Sequence, residues 1–135
     1  MRRSVYGLGI LTVAISAILP KASLAQNPGP AAKVVALDTR GSGYLPVLTG
    51  PPETVTMRSG LVELAPQHSV GQHSTEQNEE VLIVLEGKGE MLLQDGRRLP
   101  VEANHAVYCP PRTVHDVKNT GAGILRYVYV VARAK

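Results

Sequence analysis

The sequence predicts an all-β domain, and three observations carry that expectation. Beyond about residue 54, no stretch keeps a helical apolar period for more than about two turns. Apolar runs of strand length recur there every 8 to 12 residues or so, separated by Gly, Pro, Asn and Asp. The chain has no Trp and no Phe, so its core must come from Val, Leu, Ile and a few Tyr, a mixture that favours strands. Short strands at this spacing pack as a sandwich or a barrel.

The first 25 residues are expected to lie outside the fold. Met1-Arg2-Arg3 gives a positive start, "VYGLGILTVAISAIL" an apolar run, and "SLAQ" a small-x-small cleavage site after Ala25. The pattern reads as a secretory signal, so the protein is expected to be secreted or periplasmic. A membrane-spanning helix needs about 18 to 20 uninterrupted apolar residues, and Pro20 and Lys21 cut this run short. No membrane contact is expected after cleavage. The formal net charge of +3 then changes meaning: Arg2, Arg3 and Lys21 leave with the signal, and the remaining basic and acidic residues balance. A near-neutral domain without a basic cluster is not a nucleic-acid binder.

Residues 26–53 read as an irregular leader, because "NPGPAAK" and "DTRGSGYLPVLTGPPE" are dense in Gly and Pro. Residues 54–135 read as the barrel. "TVTMRSGLVELAP" suggests two short strands around a Ser59-Gly60 turn, and "EEVLIVLEG" a strong strand. Gly87 and Gly89 allow a tight connection into "EMLLQ", and Asp95-Gly96 marks a hairpin. The strands "RRLPV", "AVYCPP", "TVHDVKN" and "ILRYVYVV" follow. "VLIVL" and "YVYVV" are apolar on both faces, so their outer faces call for a cover, and a second subunit, giving a homodimer, is the natural one. The single cysteine, Cys109, is expected to be a buried small hydrophobe.

The chemistry gathers in "GQHSTEQNEEVLIVLEG". Side chains alternate along a strand, so His73 and Thr75 point together, and so do Glu80, Leu82 and Val84. His115 shares a face with Val117 and Asn119. An ionisable group facing inward beside Val is costly without a partner. His73, Glu80 and His115 would partner one another through a metal ion. His68 and His105 sit in turn-like surroundings and read as exposed. Tyr108 and Arg112 either line the barrel mouth and bind an anionic substrate, or are a core Tyr and a loop Arg.

These residues resemble the cupin family, described by the motifs G-x5-H-x-H-x3/4-E-x6-G and G-x5-P-x-G-x2-H-x3-N. His73, Glu80 and Gly87 match the first, and Pro110, His115 and Asn119 the second, over residues 54 to 132 or so. The resemblance implies a single jelly-roll β-barrel, often dimeric, with His73, Glu80 and His115 as metal ligands. Gln67, Asn104 and Arg112 stand where the motifs have glycine, and Thr75 where the first has its second histidine. A neutral hydroxyl is a poor ligand for a transition metal, which leaves two His and one carboxylate. That set can still hold a divalent iron, manganese, zinc, nickel or copper ion. Alternatively Glu76, Gln77 or Glu79 takes the vacant position, or the pocket is metal-free.

Cupins include dioxygenases, isomerases, decarboxylases, sugar-binding modules and storage proteins, so the fold selects no reaction. Two expectations stand. One is a metal-dependent oxygenase or isomerase acting on a small oxygenated molecule, Thr75 touching a metal-bound water. The other is a binding module that takes a small molecule without catalysis, with His73, Thr75 and His115 as hydrogen-bonding groups.

Overall fold

The computed structural model describes residues 29–135, so the expected signal sequence lies outside the described residues. Among the described residues nine strands form two antiparallel sheets. They are β1 (Tyr44–Thr49), β2 (Arg58–Leu64), β3 (His73–Ser74), β4 (Asn78–Glu86), β5 (Lys88–Leu93), β6 (Arg98–Glu102), β7 (Ala106–Cys109), β8 (Val114–Asn119) and β9 (Leu125–Arg133). The five-stranded sheet runs β1-β2-β9-β4-β7 and the four-stranded sheet β3-β8-β5-β6. The described residues thus form the all-β jelly roll expected from the sequence.

Alternation decides which side chains meet between the sheets. In β4, Glu80, Leu82 and Val84 are buried while Ile83 and Leu85 are exposed. In β8, His115, Val117 and Asn119 are buried and the residues between them only partly so. The core joins these to Val62, Met91, Val101, Val107, Cys109, Leu125 and Tyr127. Burial of this aliphatic surface is the main favourable term in folding. The core is sealed at one end by Asn119, whose amide donates to Leu64 O and Gly123 O at 2.8 Å each and accepts from Gly121 N.

Two local expectations are corrected. β1 falls inside the stretch read as an irregular leader. The breakers sit where an edge strand tolerates them: Gly43 and Gly50 flank the strand with positive φ, and Pro46 adjoins an irregularity in the β1–β2 pairing. Ser59 and Gly60 form no turn but continue β2, which pairs along its whole length with β9. Gly60 is needed there for space, since a Cβ would meet Tyr129 Cε1 at 2.7 Å. The tight connection expected at Gly87 and Gly89 is present, with Gly87 alone joining β4 to β5, and it carries the chain from one sheet to the other. Gly87 has φ +80 and lies so close to Ile124 O that a Cβ would stand 2.2 Å from it. Asp95-Gly96 does close a hairpin, between β5 and β6.

The outer face of the larger sheet is only partly covered. Arg126 reaches from it to Leu37 O (2.7 Å) and to Glu63 (3.0 Å), and Glu63 also accepts from Thr39 Oγ1. These bonds hold the segment before β1 against the sheet. Ile83, Leu85 and Tyr108 remain exposed. Among the described residues no helix is long and apolar enough to cross a membrane.

Candidate metal centre

Two sheets supply the centre. His73 of β3 stands directly opposite His115 of β8 in the smaller sheet, so both imidazoles leave the same face, with ring centroids 4.3 Å apart. Glu80 enters from β4 of the larger sheet. One ligand-type atom from each of the three residues lies within 4.8 Å of the others. Glu80 and His115 are buried while His73 is exposed, which leaves the cluster open on one side.

The histidines present the right nitrogens. His115 Nδ1 lies 3.4 Å from Thr113 O, and His73 Nδ1 lies 2.9 Å from Gly71 O. With the proton on Nδ1 donated to those carbonyls, each Nε2 carries its lone pair toward the cluster. The same contact two residues back occurs at the exposed His68 and His105, so it is a habit of the backbone. What sets His115 apart is Nε2. It is buried and 3.2 Å from Glu80 Oε2, yet not aligned for a hydrogen bond, so it has no partner. An orphaned buried nitrogen facing a carboxylate and a second imidazole fits a divalent transition ion. Burial pulls the His115 pKa down, but the Glu80 carboxylate and the Thr113 carbonyl outweigh it, and the net shift is upward.

Thr75 lies one residue beyond β3, is buried, and still borders the cavity. Its hydroxyl is committed. Oγ1 donates to Pro110 O at 2.9 Å and accepts from Thr113 N at 3.0 Å. The hydroxyl expected to meet a metal-bound water thus has its proton committed to a backbone carbonyl, and toward such a water it could act only as an acceptor through its second lone pair. Thr75 instead braces the β3–β4 segment against the segment between β7 and β8.

Three other residues named from the sequence lie elsewhere. Gln77 is exposed and accepts from Arg133 Nη2 at 3.4 Å. Tyr108 points to the outer face of the larger sheet, 57% exposed, and donates to Glu79 at 3.1 Å. That contact also holds Glu79 outside. Arg112 is exposed at the other side of the β7–β8 turn, near Asp95 and Arg97, where it borders a separate hollow. The reason is parity: Tyr108 alternates with the buried Val107 and Cys109, so it must face outward.

A cavity of about 690 Å³ opens over the cluster. Besides the three ligand-type residues it is bordered by Tyr44, Arg58, Tyr127 and Tyr129, none of which was singled out from the sequence. The period-two spacing of Tyr127 and Tyr129 was a legible signal of a shared face. Arg58 had no local signal, because its neighbour Glu80 is reached across β9. Cys109 Sγ lies 3.4 Å from His115 Nδ1 behind the cluster, and burial, with help from the Glu80 charge, pushes its thiol pKa up.

Comparison with known proteins agrees with this architecture. The sequence matches the cupin domain over residues 60–131. A 53-residue stretch is 43% identical to the glucose-6-phosphate isomerase of Pyrococcus abyssi, covering 36% of this chain but only 28% of that protein. Among solved structures, a cupin 2 conserved barrel domain protein from Salinispora arenicola CNS-205 superposes with a TM-score of 0.64 at 24% identity, over 77% of this chain and 91% of that one. A predicted oxalate decarboxylase from Thermotoga maritima gives a TM-score of 0.54 at 26% identity, over 57% of this chain and 66% of that one. With the match running from within β2 to within β9 and the fold shared along its length, the chain belongs to the cupin family.

Proposed function

We propose that this cupin binds one divalent transition metal through His73, Glu80 and His115 and acts on a small oxygenated organic molecule in the cavity above it. The observation that carries the reading is the buried, unpartnered His115 Nε2 facing Glu80. Three protein ligands leave open positions, and a metal held there would supply Lewis-acid polarisation of a bound oxygen function. The protein's own part is to hold the imidazoles by their Nδ1 atoms, exclude water with the apolar wall of Val62, Val117 and Val131, and keep the His73 side open. A cavity of this size suits a metabolite-sized ligand. The names of the two relatives, an isomerase of glucose-6-phosphate and a predicted oxalate decarboxylase, both concern small oxygenated molecules. The apolar run at the N-terminus supports export as part of the same proposal.

The test is metal analysis of protein purified without an affinity tag or chelator, followed by titration of the metal-free form. We expect uptake of about one equivalent per chain, nearly abolished in His115→Ala. Less than about a tenth of an equivalent bound, with no uptake on titration, would end the metal reading and leave a binding module without catalysis.

A further inference from the structure

The cavity lining contains a cation with no counter-charge. Of the two glutamates that border the cavity, Glu63 turns its carboxylate to the outer face, where Arg126 (3.0 Å) and Thr39 hold it, and Glu80 faces His115 across 3.2 Å in the candidate metal centre. The exposed side chain of Arg58 makes no ion pair or hydrogen bond among the described residues, although it borders the same space. Its placement follows from register. Arg58 opposes Val131, and Val131 opposes Glu80, so Arg58 and Glu80 occupy one cross-strand row on the inner face of the sheet. Two strand spacings separate their backbones, roughly 10 Å. The Arg58 stem is held by the turn after β1, where a Cβ on Gly50 would meet Nε at 2.9 Å and Cγ at 3.2 Å. That glycine has φ +93, so the close approach is built into the turn.

Neutral donors line the same cavity. Tyr129 lies over Gly60, and its hydroxyl shares one hydrogen bond of 2.8 Å with that of Tyr44. One proton serves that bond, leaving the pair a second O–H to donate. Tyr127 is 3% exposed, and nothing among the described residues hydrogen-bonds its hydroxyl. Burial pushes both Tyr127 and Tyr129 well above the ordinary phenol pKa, so they remain O–H donors. The lining is rich in donors at one end and in metal-ligand groups at the other.

We propose that Arg58 recognises a carboxylate on the molecule that occupies this cavity, with the Tyr44–Tyr129 pair and Tyr127 as accessory donors. The inference rests on the functional reading above only for what lies at the molecule's other end. A carboxylate is favoured over a phosphate because the planar guanidinium matches it with two parallel hydrogen bonds and one charge. A phosphate ester carries a charge approaching −2 at neutral pH, and here it would meet one guanidinium with the Glu80 carboxylate in the same cavity.

The test is calorimetric titration of the full chain, with and without one equivalent of zinc. The probes are linear three- to six-carbon dicarboxylates, their monoamides and alkyl phosphates of similar length. At least one dicarboxylate is expected to bind, with Arg58→Met weakening it at least about tenfold and Arg58→Lys by less. Zinc uptake and melting temperature should match the parent in both variants. The proposal is overturned if Arg58→Met binds the dicarboxylates as the parent does, if no carboxylate binds, or if the alkyl phosphates bind more tightly. Zinc uptake is read separately: Arg58-dependent carboxylate binding without zinc uptake keeps this proposal and sinks the metal reading. Normal zinc uptake without dependence on Arg58 does the reverse.

Discussion

Single residues in this protein carry backbone strain as well as chemistry. Gln67, Asn104 and Arg112, which replace motif glycines, have φ of 67°, 66° and 58°. The turns have kept their left-handed geometry without the residue that adopts it freely. That conformation costs an ordinary residue about 1–2 kcal/mol, less for Asn. Arg112→Gly is therefore expected to raise stability by up to about 1 kcal/mol after the added chain entropy of glycine, and Asn104→Gly by less. Thermal melting of the two variants side by side checks the order. A second expectation concerns His115, whose pKa is raised above 6.5 in the folded protein. A raised value means that the metal-free domain gains stability from protonated His115 at pH below that of a free imidazole. The gain fades as pH rises through the folded-state value. Urea unfolding of the metal-free parent should show this decline, and His115→Gln should flatten it. Metal uptake must run the other way, since ligation needs the neutral imidazole.

At the scale of elements, the centre depends on how short segments are fastened together. β3 is only two residues long and could not hold His73 by its own ladder. Thr75 compensates, its hydroxyl bonding Pro110 O and Thr113 N while its backbone N donates to Thr113 O. Glu76 O then accepts from Arg112 N at 2.7 Å. Thr75→Ala should destabilise the domain by about 1–2 kcal/mol, because it leaves a part-buried N–H and a carbonyl without their partner. Thr75→Ser should cost under about 1 kcal/mol, since it keeps both bonds. Chemical denaturation of the three proteins distinguishes a brace from a ligand: a brace lowers stability in Thr75→Ala while metal stoichiometry stays at the parent value. Thr75→His gains no ligand without first breaking this brace, so tighter metal binding in that variant would contradict it.

For the whole molecule, the unresolved demand is the outer face of the larger sheet. Ile83 is 41% exposed, Leu85 39% and Tyr108 57%, on adjacent strands. We expect two copies to cover this face in solution, with light scattering giving twice the chain mass and Ile83→Lys shifting it to the monomer. A monomeric parent at micromolar concentration would remove the expectation. Much of the molecule was legible in the sequence because strands write themselves in period two. Period two in "EEVLIVLEG" and "TVHDVKN" determined which residues share a face, and the resemblance to the cupin motifs marked His73, Glu80 and His115 as candidate ligands. What the sequence could not determine was anything that depends on a partner strand far along the chain. β1 was hidden because edge strands tolerate the Pro and Gly that signal a loop, and Gly60 read as a turn because its neighbour Tyr129 is 69 residues away. Thr75 read as a lost ligand because the carbonyl and amide that claim its hydroxyl belong to another segment. Arg58 entered the cavity only through registers with Val131 and Glu80. Periodicity is local and survives in the sequence, whereas register and side-chain pairing are products of long-range packing, which only the tertiary structure decides.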